Sequence, residues 1–411
     1  MQACYLAVDI GASSGRHIVG WVEDGRIQLQ EVYRFENGIS RKNGHLCWNV
    51  DALAAEVING MAACRAAGFA PATMGIDTWA VDFVLLDKAG QRIGDAVAYR
   101  DERTDGIREM LPVSFAEHYA RTGIQFQKFN TVYQLAALQK EHPEQLAAAE
   151  TFLMIPDYLN YLLTGVAANE YTNATTTALV NAESKDWDDE LIETLGLPRN
   201  IFQPIRTPGT VLGGLLPEIQ EKVGFDCQVI LPATHDTGSA FLAVPARDEF
   251  AVTLSSGTWS LLGVENLAPI ATDASRADNF TNLIALTYVL PLTDRDFSRA
   301  LWQSATECPV VFPEGVGVCP WMVPGGADIA MATSKKMKTY QAAVWAQHGL
   351  FASGPDFDIT FGLAHTIEKA AEIYVKVLSA GQGRIRQTIT DDALRAIAHD
   401  FGVTINEEFL D

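Results

Sequence analysis

One stretch constrains the fold more than any other: Ala7-Val8-Asp9-Ile10-Gly11-Ala12-Ser13-Ser14-Gly15-Arg16, an apolar run that ends in a carboxylate and a tight turn of small residues. After the turn come His17-Ile18-Val19-Gly20-Trp21-Val22, then Asp24-Gly25, then Ile27, Leu29 and Val32 alternating with polar residues. That pattern predicts a hairpin, where a dinucleotide fold requires a helix. Bare amides in such a turn can hold phosphate oxygens as an anion nest, and Asp9 beside them suits a hydrated magnesium ion. From the residues alone, an ordinary glycine-serine turn and a strand-end carboxylate are the favoured readings.

Composition narrows the partners. The 411 residues suffice for two or three domains, and an apolar fraction of 48% permits a proper core. A formal net charge of -21 repels nucleic-acid phosphates and anionic lipid, leaving small molecules and metal ions as expected partners, with no nucleic acid and no membrane. No apolar run is long enough to span a bilayer, and Met1-Gln2-Ala3-Cys4 leads directly into strand residues, so a cytoplasmic location is expected. The six cysteines show no C-x-x-C spacing and read as buried free thiols.

Strand signals and one amphipathic helix, Asp51 to Ala67, occupy the first 90 or so residues. The run from Met74 to Asp87 reads as two strands meeting at Thr78-Trp79, and helical periodicity follows through Thr131, Gln134, Leu135, Leu138 and Pro156 to Leu159, with helices expected until Gly213. A strand resumes at Cys227 to Pro232. Thr234-His235-Asp236-Thr237-Gly238-Ser239 then opens a helix, which makes Asp236 either a helix N-cap or a functional carboxylate. Phe250 to Val264 repeats the opening logic of strand, small polar turn and strand. A second half as large as the first has no room to follow it. Ser275 to Asn282 is a polar linker, and Ile359, Leu363, Ile367, Ala371 and Val375 mark a long amphipathic helix.

These residues carry two family resemblances. Residues 1–282 resemble the FGGY carbohydrate kinases, and within them the rhamnulokinase family, through DIGASSGR (9–16), GIDTWAVDFVLLD (75–87), AYRDERT (98–104), EYTNATTTALVN (170–181), THDTGSA (234–240) and LSSGTWSLLG (254–263). Residues 281–411 resemble the C-terminal half of the rhamnulose-1-phosphate aldolases, a class II aldolase family, through TNLIALTYVL (281–290), TECPVVFPEGVGVCPWMVPG (306–325), HGLFASGP (348–355) and TFGLAHTIEKAAEIYVKVLS (360–379). They meet at Thr281-Asn282, as a deletion between neighbouring genes would leave them. The implied fold class is α/β. A ribonuclease H-like, actin/hexokinase-type first lobe of a sugar kinase covers 1–245, the start of a second lobe and a linker cover 246–282, and a partial α/β class II aldolase domain covers 283–411.

The kinase resemblance implies transfer of the ATP γ-phosphate to O1 of L-rhamnulose, with Mg2+ as the metal. It makes Asp236 the general base and puts Ala80, His235, Asp236 and Thr237 on the sugar. Ala12, Ser13, Ser14, Gly15, Arg16 and Thr258 fall on ATP, and Asp9 acts on magnesium indirectly. Ala80 departs from the family glycine, and its methyl adds bulk beside the sugar. Asp77, Trp79 and Asp82 read equally as pocket walls or as core. The nucleotide-holding residues of the family's second lobe have no counterpart after Asn282, so impaired turnover is expected. The aldolase resemblance implies Zn2+, but only His348 matches a ligand position, and a single imidazole does not make a zinc site. His365 and His399 match none. The rival expectations are an inert or sugar-binding-only fusion remnant and a bifunctional kinase and aldolase. Apolar faces shaped for absent sequence should lie bare, favouring aggregation, new oligomers or proteolysis.

Overall fold

The computed structural model describes residues 3–245, 252–256, 260–264, 268–272, 275–276, 283, 286–322, 327–347 and 349–411. The chain divides into two compact units, Met1–Ser255 with Leu261–Ala277, and Ser256–Ser260 with Asp278–Asp411.

In the first unit, β1 (Cys4–Ile10), β2 (Ser14–Glu23) and β3 (Arg26–Glu36) form the expected antiparallel meander. Helix α1 (Val50–Ala66) carries the chain back to β4 (Thr73–Thr78), which pairs parallel to β1. The chain leaves the sheet through β5 (Phe83–Leu86), α2 (Thr131–Glu141), β6 (Thr151–Met154), α3 (Ile155–Thr164) and the short α4 (Tyr171–Thr175). It returns through β7 (Val211–Gly214) and β8 (Gln228–Ile230) before α5 (Asp236–Leu242). The main sheet has the order β7-β8-β4-β1-β2-β3, while β5 pairs with β6 in a separate sheet. The two strands read between Met74 and Asp87 therefore belong to different sheets. The break between them is the turn from Trp79 to Asp82. Short strands at Asn169–Glu170 and Ile205–Arg206 interrupt the region expected to be helical. Val252–Ser256 and Ser260–Val264 form the expected strand pair.

Side-chain alternation fixes which way the sheet faces. Cys4, Leu6, Val8 and Ile10 are buried on one face of β1, so Asp9 projects from the other. Helix α1 begins where the Asn49 side chain accepts from Ala52 N–H, and it buries Leu53, Val57, Met61 and Cys64. Gly60 lies on that face because a Cβ there would stand 2.3 Å from the His17 ring. His17 is fully buried, its Nε2 3.1 Å from Val57 O, and burial pulls its pKa down to about 4. The folded protein thus keeps this imidazole neutral while the unfolded chain protonates below about pH 6.5. The stability tied to that neutral ring is complete above pH 6.5 and is lost as pH falls towards about 4, roughly 3 kcal/mol in all. Urea unfolding at pH 7 and pH 4.5 should show this loss in the parent, and a His17→Leu variant should lack His17's share of it.

The second unit has its own core. Helix α6 (Asp294–Trp302), capped by the Thr293 side chain on Asp296 N–H, buries Phe297, Leu301 and Trp302. Strand β9 (Gly317–Cys319) pairs parallel with β10 (Ala342–Trp345), which pairs antiparallel with β11 (Gly349–Ala352). Helix α7 (Phe357–Ala380), capped by Asp356 on Ile359 N–H, buries Leu363, Ile367 and Ala371 as the periodicity required, although Ile359 is exposed. Helix α8 (Asp391–Asp400) and the terminal Phe409 and Leu410 close the cluster. Tyr288, Trp321, Met331 and Phe401 are each more than half exposed, so bare apolar side chains coexist with a packed interior.

All six cysteines are buried and free. Among the described residues no helix is long and apolar enough to cross a membrane.

Candidate active site

Parallel pairing brings the C-terminal ends of the central strands β1 and β4 together at one end of the main sheet. Asp9 lies opposite Asp77 in register, Asp9 lies opposite Arg16 across the hairpin, and Thr78 bridges to His235 at the start of α5. Residues separated by more than two hundred positions thus converge: Asp9, Arg16, Asp77, His235 and Asp236.

The carboxylates differ in state. Asp9 Oδ2 accepts from Arg16 Nε at 2.8 Å and Nη2 at 2.7 Å, in a partly exposed pair. Burial drives the Asp77 carboxyl well above the ordinary carboxylate range. The negative charges of Asp9 and Asp236 and its hydrogen bond with Asp9 push the same way, while Arg16 opposes. Burial also raises Asp236, against the pull of the His235 imidazole and the Thr237 N–H and hydroxyl. His235 is drawn below its usual value by burial, while Asp236 and Glu170 push back. Its Nε2 stands 3.5 Å from Asp236 Oδ1, which also accepts from Thr237 N at 2.6 Å. A raised carboxylate pKa strengthens Asp236 as a proton acceptor.

Asp236 is not the N-cap. His235 takes that position without a capping side-chain bond, and Asp236 begins the helix, its carboxylate accepting from Thr237 N and Oγ1. Of the residues read as a phosphate turn, Ala12 and Ser13 stay in the loop, whereas Ser14, Gly15 and Arg16 belong to β2. The turn is fixed by Gly11 N to Ser14 O at 2.9 Å and by Asn37, whose Nδ2 donates to Gly11 O and whose N donates to Ser13 O. Thr258 and His348 lie outside the described residues, as does Thr281-Asn282.

The turn joining β4 to β5 is a built feature. Trp79 N donates to Ile10 O, and Val81 sits at φ +69°, a left-handed conformation costly for a β-branched residue. Val81 N donates to Thr176 Oγ1 at 3.2 Å, and Val81 O accepts from Thr131 Oγ1 at 2.7 Å and Gln134 Nε2 at 3.1 Å. Asp82, 1% exposed, accepts from Trp48 Nε1 at 2.6 Å, Trp79 Nε1 at 2.9 Å, Gln134 Nε2 at 3.0 Å and Tyr99 N at 3.2 Å. Of the residues left open between pocket and core, Asp82 and Trp79 are buried parts of this support. Ala80, between Trp79 and Val81, is partly exposed.

Sequence reasoning passed over Glu170, Thr172, Asn173 and Thr176 as functional residues. The signal was present: EYTNATTT is too polar for a core helix, yet Asn173 is fully buried. The short α4 that it forms holds both the Val81 turn and the Thr234–His235 segment.

The six-stranded sheet thus gathers Asp9 and Asp77 at its strand ends beside the β1–β2 turn, with His235 and Asp236 at the start of α5. The family model for the N-terminal domain of the FGGY family of carbohydrate kinases matches residues 4–243, more than half of the chain, and this protein belongs to that family. A second match, to the class II aldolase and adducin N-terminal domain, covers residues 281–375. The chain is 55% identical over 284 residues to the rhamnulokinase of Oceanobacillus iheyensis, covering 69% of this chain and 60% of that protein. Its identity to the rhamnulokinase of Halalkalibacterium halodurans is 57% over 285 residues, or 69% and 61% of the two. It spans about three fifths of the length of these curated relatives. Among solved structures, a ligand-bound xylulose kinase from Lactobacillus acidophilus aligns at TM-score 0.61 with 16% identity, over 98% of this chain and 85% of that one. The xylulose kinase of Rhodospirillum rubrum aligns at 0.62 with 14% identity, over 93% and 100%. These structures share the fold.

Proposed function

We propose that this chain carries out rhamnulokinase-type chemistry, transferring the γ-phosphoryl group of ATP to O1 of L-rhamnulose. The observation that carries the reading is the meeting of a carboxylate of raised pKa, Asp236, with Asp9 and Arg16 at one end of the main sheet. Asp236 takes the O1 proton, O1 bonds to the γ-phosphorus, the bond from that phosphorus to the β-γ bridging oxygen breaks, and ADP leaves. His235 and Thr237 flank the hydroxyl, and the methyl of Ala80 narrows the sugar wall. Ala12 to Arg16 and Thr258 serve the phosphates.

Asp9 fits the family's magnesium ion through the chemistry of its donors. Mg2+ prefers one or two carboxylates together with waters and phosphate oxygens, and no group of three or more ligating side chains is gathered among the described residues. When bound, the ion neutralises phosphate charge. Burial and the charges of Asp9 and Asp236 push the Asp77 carboxyl well above the ordinary carboxylate range, which disfavours a third negative charge beside them. Arg16 must give up its pairing with Asp9 as phosphates arrive.

Where the relatives' second lobe continues, this chain carries aldolase-related sequence, and its turnover should fall below theirs because closure over adenosine and exclusion of water need two lobes. The test is a coupled assay of ADP release with and without L-rhamnulose. Absence of sugar-dependent release, with the parallel full-length relative active, would favour the inert fusion remnant. His348, a lone ligand position, should leave the purified protein without stoichiometric zinc and without cleavage of L-rhamnulose 1-phosphate. Metal analysis and a retro-aldol assay check this directly, and zinc-dependent cleavage would support the bifunctional alternative.

A further inference from the structure

We propose that Glu170 is a positioning residue for Asp236: its buried carboxylate sets the path of the Thr234-His235-Asp236 segment and so places the base against the sugar. The inference rests on the reading of Asp236 as the base but concerns a different residue and a separate measurement. Glu170 is fully buried at the N-cap of α4 and accepts from five donors. Oε1 takes Thr172 N at 2.9 Å. Oε2 takes Thr172 Oγ1 at 2.6 Å, Asn173 N at 3.3 Å, and both Thr234 N and Thr234 Oγ1 at 2.9 Å.

Two of those donors belong to the segment that leads into Asp236, and the neighbours of Glu170 reinforce them. Asn173 Nδ2 donates to Thr234 O at 3.3 Å, and Thr172 Oγ1 accepts from His235 N at 3.2 Å. Thr234 is therefore gripped at its N–H, carbonyl and hydroxyl, and His235 at its N–H, by one turn of chain. The same α4 ends at Thr176, which accepts from Val81 N. One element thus fixes both the segment that presents the base and the turn that walls the sugar. A buried carboxylate is an expensive way to shape a loop unless its donors are specific. Five donors converging on one side chain meet that requirement.

The test compares Glu170→Gln, Thr234→Val and Thr234→Ser in the full chain, with Asp236→Asn alongside. In Glu170→Gln an amide N–H faces donors whichever way it is turned. A displacement of the base by about 1 Å should cost kcat roughly tenfold to a hundredfold with KM little changed. Thr234→Val should lose part of that rate and Thr234→Ser should retain it, since only the hydroxyl is needed. The second readout does not need turnover: the titration of the His235 imidazole by NMR. Removal of the Glu170 charge should lower the His235 pKa further, because that carboxylate opposes the effect of burial.

A lower His235 pKa in folded Glu170→Gln, with reduced kcat where turnover is measurable, supports the assignment. An unchanged His235 titration, or parent-like kcat in Glu170→Gln, overturns it. If Glu170→Gln fails to fold, kcat lowered in Thr234→Val and kept in Thr234→Ser supports the assignment, and parent-like kcat in both overturns it. Undiminished kcat in Asp236→Asn would refute the base reading itself, whereas the His235 titration of the Glu170 variant reports on Glu170 alone.

Discussion

Asp236→Asn is expected to lower L-rhamnulose-dependent ADP release by about 10²- to 10⁴-fold, the usual contribution of a positioned general base, while the fold and the sugar affinity are kept. The amide has nearly the shape of the carboxylate and can still accept from Thr237 N–H, which now bonds Oδ1 at 2.6 Å. It cannot take the O1 proton. Burial, which raises the carboxyl of Asp236, makes the loss larger than for a solvent-exposed aspartate, because a stronger proton acceptor has been removed. The assay needs only a coupled ADP readout and melting curves for both proteins. Parent-like turnover with an unchanged melting temperature would rule Asp236 out as the base.

Asp82→Ala should be the most damaging single change to the first unit, costing about 3 kcal/mol or more by denaturant titration. The two tryptophan indole N–H groups, the Tyr99 amide and the Gln134 amide would all lose an acceptor in a site from which water is excluded. The loss would also remove one of the restraints on Gln134, one of the two side-chain donors that hold Val81 O, leaving it bonded to Arg103 and Phe129 O. A valine at φ +69° persists only where its surroundings over-determine it. Release of that strain is expected to move Ala80 and weaken sugar binding, so KM for L-rhamnulose should rise at temperatures where the variant stays folded. Asp82→Asn, which keeps the shape and one acceptor, should cost less. Equal stability of parent and Asp82→Ala would remove Asp82 from this role.

Sequence and structure contributed different parts of this picture. Local patterns were legible in the residues: the opening hairpin, α1, the α7 periodicity through Leu363, Ile367 and Ala371, and the helix opening at Asp236. So was the change of resemblance along the chain, to the FGGY kinase model over 4–243 and to the class II aldolase model over 281–375, because motif spacing survives without knowledge of packing. The separate sheets of β4 and β5, and the strands Asn169–Glu170 and Ile205–Arg206, were not legible, since pairing partners lie far apart in sequence.

The amino-acid sequence by itself determined the elements, the carboxylates available and the small polar residues around them. Only the tertiary structure decided that burial and the charge of Asp9 push the Asp77 carboxyl up, that Asp236 is raised by burial beside His235, and that Glu170 grips Thr234. The physical reason is that desolvation and charge coupling depend on distance in space. A carboxylate's sequence neighbours say little about whether water or another carboxylate stands beside it.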